Sequence, residues 1–257
     1  MPPRLHVAAP FAEDATLVLP AAAARHVQVL RLQPGSAMTL FNGDDGADWS
    51  ATVTRMTRSE VEVRLGAPRP VDRELPFAVT LAIGAPANDR MDAFVEKACE
   101  LGAAAIQPLL CERSVLRLAG ERAEAKRRHW AGIAASASEQ CGRSRVTRVM
   151  AMQPFPAWLD GERGRIAAHR VVLSFDAAAE AAAPPAVAAA PSAPVQPTLP
   201  EIVVLSGPEG GLSDDEERAA VACGFARTRL GPRVLRADTA PLAWLAWLAI
   251  ETAGQPS

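Results

Sequence analysis

The stretch LSGPEGGLSDDE, Leu205 to Glu216, closes the apolar run Ile202-Val203-Val204-Leu205. A run of this kind reads as a buried strand, here passing through a glycine-rich turn into a segment loaded with carboxylates. Glycine-rich turns after strands often cradle phosphate. The Gly-Lys-Ser/Thr ending of a P-loop and the G-x-G-x-x-G of a dinucleotide site are both absent. Asp214, Asp215 and Glu216 also occupy the positive end of the helix dipole that a phosphate would need. The stretch therefore argues against a phosphate ligand. Ser213 and Glu216 have the spacing of a capping box, so part of the acid run starts a helix. PEGG needs a different explanation.

Around this stretch the chain alternates strand and helix from Pro76 onward. FAVTLAIG reads as a strand, and Met91, Phe94, Val95, Ala98 and Leu101 then recur at helical spacing, with Gly102 at the position a helix end favours. AAIQPLLCE is the next strand, followed by a long helix through Trp130, Ile133 and Ala137. RIAAHRVVLSF, IVVLSG and ARTRLG supply three more strands, a helix begins at Ser213 with Gly224 as its stop, and an apolar helix follows at Pro241–Ile250. Such alternation predicts an α/β domain with a mostly parallel sheet. Residues 177–200 are low in complexity; the Ala run is compatible with a short helix ended by Pro184-Pro185, and the remainder reads as a flexible proline-rich insertion.

The first part of the chain has another character. TLVLP, SAMTLFNG, DWSATVTRM and VEVRLG alternate apolar and polar residues between Gly, Asn and Asp turn signals, with one short helix at Ala21–Leu30. This predicts a small β-rich domain, closed or nearly so, with Arg69–Arg73 as linker. The domains are set at 1–73 and 74–257.

The 257 residues are about half apolar and carry a formal net charge of −2. Four scattered cysteines, Cys99, Cys111, Cys141 and Cys223, form no C-x-x-C pair and sit beside no His cluster, which argues against a zinc site or a disulfide framework. No run approaches membrane-spanning length and the N-terminus lacks a signal-peptide core, so a reduced, cytoplasmic protein is expected. Between Arg113 and Arg148 basic residues gather with few acids to offset them, a possible footprint for a polyanion or else a solvated helix face with pairs such as Glu124–Arg128.

No Ser-His-Asp set and no HExxH is present. The chemistry-bearing candidates are two glycine-bearing loops that follow late strands, GPEGG at Gly207–Gly211 and LGPRVLRADTA at Leu230–Ala240. Ligands of open α/β sheets bind beyond the carboxyl ends of such strands. Either loop alone is compatible with an ordinary turn in which glycine supplies positive φ.

Together with VLRLQPGSAMTLFNGDDG, FVEKACELGAAAIQPLLCERS and ASEQCGRSRV, in that order along nearly the whole chain, the two loops closely resemble the RsmE family. That family belongs to the SPOUT superfamily of knotted RNA methyltransferases and methylates N3 of a uridine in 16S ribosomal RNA. The resemblance implies a small N-terminal PUA-like β-barrel that binds RNA and a C-terminal domain with a deep trefoil knot. It implies S-adenosylmethionine as methyl donor, no metal, the small ribosomal subunit as partner, and a homodimer formed through the knotted domain.

By the same resemblance Leu205, Gly207, Glu209, Gly210, Gly211, Leu230, Gly231, Val234, Leu235 and Thr239 match donor-site positions. Uridine N3 carries a proton at neutral pH, so methylation needs a proton acceptor and donors for the developing ring anion. Arg236 and Arg143 are the candidates for the anion, Glu139 and Asp238 for the proton, and Arg25, Arg31, Arg113 and Arg145 for RNA. Where the family commonly shows T-E-T-A, this chain has Ala237-Asp238-Thr239-Ala240, a carboxylate one methylene shorter. Two other readings are a ribose 2′-O-methyltransferase on a related knotted fold, which typically ends in an S-L-N-V type motif, and a non-catalytic RNA-binding or assembly protein. The apolar last helix reads as core, or as a dimer interface.

Overall fold

The computed structural model describes residues 2–86, 88–165, 169–175, 180–181 and 199–253. The chain divides into two compact units: Met1–Glu74 with Ala135–Val146, and Leu75–Ala134 with Thr147–Ser257.

The first unit carries, in chain order, β1 (Arg4–His6), β2 (Thr16–Val18), α1 (Ala21–Val29), β3 (Ala37–Phe41), β4 (Ala47–Met56) and β5 (Val61–Pro70). They form one sheet in the order β1-β3-β4-β5-β2, antiparallel except where β1 runs alongside β3. Alternation decides which face is buried: Ala51 and Val53 of β4 and Val61, Val63 and Leu65 of β5 point inward, where Val27 of α1 packs with them. Arg69 and Pro70, expected in a linker, instead pair with Asp48 and Ala47 and extend the ladder. The strand continues because Pro70 lies at its end, where a missing N–H is tolerated.

The second unit contains β6 (Ala78–Gly84), α2 (Asn88–Glu100), β7 (Ala105–Leu110), α3 (Gly120–Cys141, whose last turns are grouped with the first unit), β8 (Arg148–Val149), β9 (Gln153–Pro154) and α4 (Phe155–Glu162). It continues with β10 (His169–Leu173), β11 (Glu180–Ala181), β12 (Glu201–Ser206), α5 (Asp214–Ala222), β13 (Ala226–Arg229) and α6 (Thr239–Ala253). The strand order is β11-β13-β10-β12-β6-β7-β8, with β9 also on β7, and every pairing is parallel. A parallel sheet is covered on both faces, which explains why β12 is a nearly continuous apolar run rather than an alternating one.

Glu180 and Ala181 pair with Thr228 and Arg229, so these two residues of the Ala-rich stretch are strand, not the short helix expected there. The other residues of the 177–200 insertion, apart from 199 and 200, lie outside the described residues, as do 166–168 of the strand read at RIAAHRVVLSF.

Around α5 the local chemistry follows its sequence signals. Ser213 and Glu216 form a complete capping box, and Gly224 takes φ +93° just past the helix end. In α6, Trp244, Leu245 and Leu248 are buried, whereas Ile250 is 73% exposed. Among the described residues nothing covers this apolar helix at Ala243 and Ile250, which are exposed.

Candidate active site

A cavity of about 850 Å³ lies beyond the carboxyl ends of β10, β12 and β13. This is the location that an open parallel sheet reserves for ligands. Its wall is built from Leu173–Phe175, Ser206–Leu212, Leu230, the run Arg233–Ala237 and Ala240, with Arg90, Arg113, Asp214, Glu217, Arg218, Arg227 and Thr228 around them.

The loop after β12 is held by the absence of side chains. Gly211 donates its N–H to the Pro208 carbonyl at 2.8 Å and closes a turn at φ +71°. A Cβ on Gly207 would stand 2.5 Å from the Leu212 nitrogen. A Cβ on Gly84, at the end of β6, would stand 2.4 Å from the Pro208 nitrogen. Both clashes are with backbone, which cannot rotate away, so the loop sits this deep only because two glycines face it. Ser206 Oγ donates to the Ala237 carbonyl at 3.3 Å and joins this loop to the one after β13.

The acid run that follows is largely accounted for. The Ser213 N–H donates to Glu216 Oε2 (3.0 Å), and the other oxygen of Glu216 accepts the Glu112 N–H at 2.8 Å. Glu217 accepts from Ser174 Oγ (2.8 Å) and Arg227 Nε (2.7 Å) on the cavity wall. Asp215 pairs with Arg218. Glu209, in the glycine loop, faces Arg90 at 3.8 Å. Below Glu216, burial pushes the Cys111 thiol up to about 12, with the Glu216 charge adding to it.

Seven of the ten expected donor-site residues line the cavity: Gly207, Glu209, Gly210, Gly211, Leu230, Val234 and Leu235. Leu205 lies one layer below, 0% exposed in the core, and Gly231 and Thr239 are also off the wall. Arg236 lines the cavity and is exposed, and its side chain has no ion-pair or hydrogen-bond partner among the described residues. Asp238 is off the wall, with Oδ1 buried and unmatched by any donor among the described residues. Sequence reasoning missed Gly84, Arg90, Ser174, Phe175, Arg227 and Arg233. Gly84 sits where a strand pattern ends in glycine, a signal of close backbone approach that could have been read.

The EQCGRSR segment belongs to the first unit. Arg143 is 3% exposed and its guanidinium grips Glu74; Glu139 accepts the His6 N–H at 2.8 Å. Arg4 braces the same segment, donating to the carbonyls of Ser138 (2.8 Å) and Arg143 (2.7 Å) and to Asp48. Arg145 donates to the Asp44 carbonyl. Arg25 and Arg31 are exposed, Arg31 at φ +56° just past α1. Arg113 is placed on the cavity wall. Among the described residues no group of three or more His, Cys, Asp and Glu could hold a metal ion, and no helix is long and apolar enough to cross a membrane.

Comparison with known proteins bears on this cavity. A family model described as an RNA methyltransferase domain matches residues 73–249, and one described as an RNA methyltransferase PUA domain matches residues 19–66. Ribosomal RNA small subunit methyltransferase E of Bacillus subtilis is 31% identical, covering 88% of this chain and 86% of that protein. The Synechocystis protein of the same name is 33% identical over 95% of this chain and 76% of its own length. The crystal structure of ribosomal RNA small subunit methyltransferase E from Neisseria gonorrhoeae bound to S-adenosyl methionine superposes with a TM-score of 0.82 at 32% identity, covering 96% and 97% of the two chains. A methyltransferase structure from Legionella pneumophila with bound cofactor SAM gives a TM-score of 0.84 at 31% identity, covering 98% of each chain.

Proposed function

The chain belongs to the ribosomal RNA small subunit methyltransferase E family, and on that premise we propose that it moves a methyl group from S-adenosylmethionine to N3 of one uridine in 16S ribosomal RNA. The observation that carries the proposal is one cavity walled by both GPEGG and the LGPRVLR loop, in a chain similar over nearly its whole length to enzymes that bind this donor.

The residues present suit the donor. Leu173, Leu212, Leu230, Val234 and Leu235 offer apolar surface for an adenine ring, and Glu209 offers a carboxylate to ribose hydroxyls. Gly210 and Gly211 bring main chain to the cavity in place of side chains. When bound, the donor supplies an electrophilic methyl on a positive sulfonium.

The protein's own part is to bring the uracil edge to that methyl, take the N3 proton and hold the charge that develops. Arg236 is the anion stabiliser: an unpaired guanidinium in the cavity is not already neutralised and can face the uracil carbonyl oxygens. Asp238, off the wall but in the same loop, is the proton acceptor, and the proton reaches its carboxylate through a water. As N3 loses its proton to the carboxylate, the N3–CH3 bond forms and the S–CH3 bond breaks. Glu139 and Arg143, engaged with His6 and Glu74, order the EQCGR segment. Arg25, Arg31 and Arg145 offer positive charge to the RNA backbone.

The same reading places the chain among the SPOUT enzymes, with the second unit tied in a trefoil knot and the first closed into a PUA-like barrel. It makes the protein a homodimer that works in the cytoplasm, where its ribosomal substrate is. The uncovered side of α6, with Ile250 at its exposed end, supports a partner helix there.

The test is transfer of radiolabelled methyl from S-adenosylmethionine to small ribosomal subunits lacking the modification, followed by mapping of the labelled nucleotide. Label on N3 of a single uridine is the expected result. Label on a ribose oxygen would move the protein to the sister activity, and donor binding without transfer to any subunit RNA would defeat the substrate assignment.

A further inference from the structure

We propose that Arg113, from the basic stretch after β7, is a positioning residue for the methyl-donor loop rather than a contact to RNA; the inference rests on the reading that this cavity holds the donor. Three observations converge on it. The Arg113 Nη1 donates to the Gly210 carbonyl at 3.2 Å and to the Leu212 carbonyl at 3.0 Å. A Cβ on Gly210 would lie 3.1 Å from the Arg113 Cβ, so glycine at that position lets the loop settle onto the arginine. Arg113 also stands on the cavity wall beside the loop it holds.

The turn that presents Arg113 is itself braced. The Cys111 N–H donates to Ser114 Oγ (2.9 Å), and the Ser114 N–H returns to the Cys111 carbonyl (3.1 Å). The Glu112 N–H is fixed by Glu216 at 2.8 Å, and Arg117 donates to the Glu112 carbonyl at 2.9 Å. A guanidinium fixed at its base and bonded to two carbonyls two residues apart sets the orientation of the peptide units around Gly211. Bonds from a charged donor are roughly twice as strong as neutral ones, so this is the strongest side-chain hold available to neutral carbonyls.

Arg113 also differs from the other arginines of the wall. Arg90, Arg218 and Arg227 face carboxylates, at Glu209, Asp215 and Glu217 respectively. Arg233 and Arg236 have no side-chain partner among the described residues. Arg113 meets main chain of the glycine loop. A residue serving the RNA phosphates would be expected among the unpaired pair, not here.

The experiment is calorimetric titration of S-adenosylmethionine into the full-length wild type, R113A and R113K, alongside binding of a 16S fragment at two salt concentrations. Thermal melts of each variant exclude unfolding. A wild type that fails to bind the donor defeats the cavity reading itself. Given wild-type binding, R113A should weaken the donor by about 10- to 100-fold, with R113K in between, because a lysine side chain ends one atom short of the Nη1 that makes both bonds. RNA affinity should change by less than about twofold, with an unaltered salt slope. Hydrogen exchange at residues 208–212 should quicken in R113A. Unchanged donor affinity, or a loss of RNA affinity as large as the loss of donor affinity, overturns the proposal. Should R113A fail to fold, R113K decides by the same ordering.

Discussion

The two loops that wall the cavity are built in opposite ways. The one after β12 is locked: a Cβ on Gly207 or Gly84 would stand 2.5 or 2.4 Å from a backbone nitrogen, and Ser206, Arg90 and Arg113 hold it from the sides. The one after β13 is open. A Cβ on Gly231 would meet nothing within 4 Å, Val234 is 81% exposed, and Arg233 and Arg236 point no charge at a described partner. Both are glycine-bearing βα loops at the same end of one sheet. The difference teaches that glycine does two jobs here, close approach at Gly84 and Gly207 and a positive-φ turn at Gly211 and Gly231. A locked loop suits a donor that must be held in one pose; the open loop lends Leu230, Val234 and Leu235 to the donor and turns Arg233 and Arg236 to a substrate that arrives from outside.

The contrast can be broken first at its rigid side. G207A and G84A should abolish measurable donor binding, because relief of a 2.4–2.5 Å backbone clash requires the loop to move. G231A should keep most of it and lose only about 1 kcal/mol of stability from its left-handed conformation at φ +82°. Calorimetry and thermal melts separate the two, and equal losses in both would erase the distinction.

The open side is tested by R236A, for which kcat/KM should fall by about 10²- to 10³-fold with donor affinity nearly unchanged. Smaller is S213A, which removes the cap of α5 and should cost about 1 kcal/mol in denaturant melts without moving kcat. Cys111, its thiol pushed up to about 12 and buried, should resist alkylation in the native enzyme at neutral pH and react only on unfolding. The smallest effect concerns His169, which burial holds below its ordinary 6.5. A depressed folded value means that stability is fully present above 6.5 and is lost as pH falls through the folded value, so H169Q should flatten the acid side of the stability profile.

Much of this was legible in the sequence, for physical reasons. Parallel strands announce themselves as short apolar runs, so β6, β7 and β12 could be read directly, and the capping box at Ser213 marked the start of α5. The three-residue β1 and the helix α4, entered through Pro154 and Pro156, offer too short a pattern to read. The two loops stood out as glycine-bearing turns after late strands, but either alone is compatible with an ordinary turn, and it was the resemblance of the pair to a known family that marked them as a donor site. Arg227 was not recognised as part of the site, and Arg113 was assigned to RNA rather than to the glycine loop, because strands that are neighbours in the sheet are far apart in the chain. Arg113 and Gly210 are 97 residues apart, and Arg143 meets Glu74 across 69. Local pattern carries no information on such pairs. The basic stretch shows the same limit: charge alone could not tell an arginine that holds main chain from one that is free for RNA.

The most direct measurement compares S-adenosylmethionine affinity and methyl transfer in G207A and R236A, each shown to be folded. The account predicts that G207A loses the donor and therefore transfer, while R236A binds the donor as the wild type does and fails at transfer. Wild-type donor affinity in G207A, or loss of donor binding in R236A, would contradict the division of labour between the two loops.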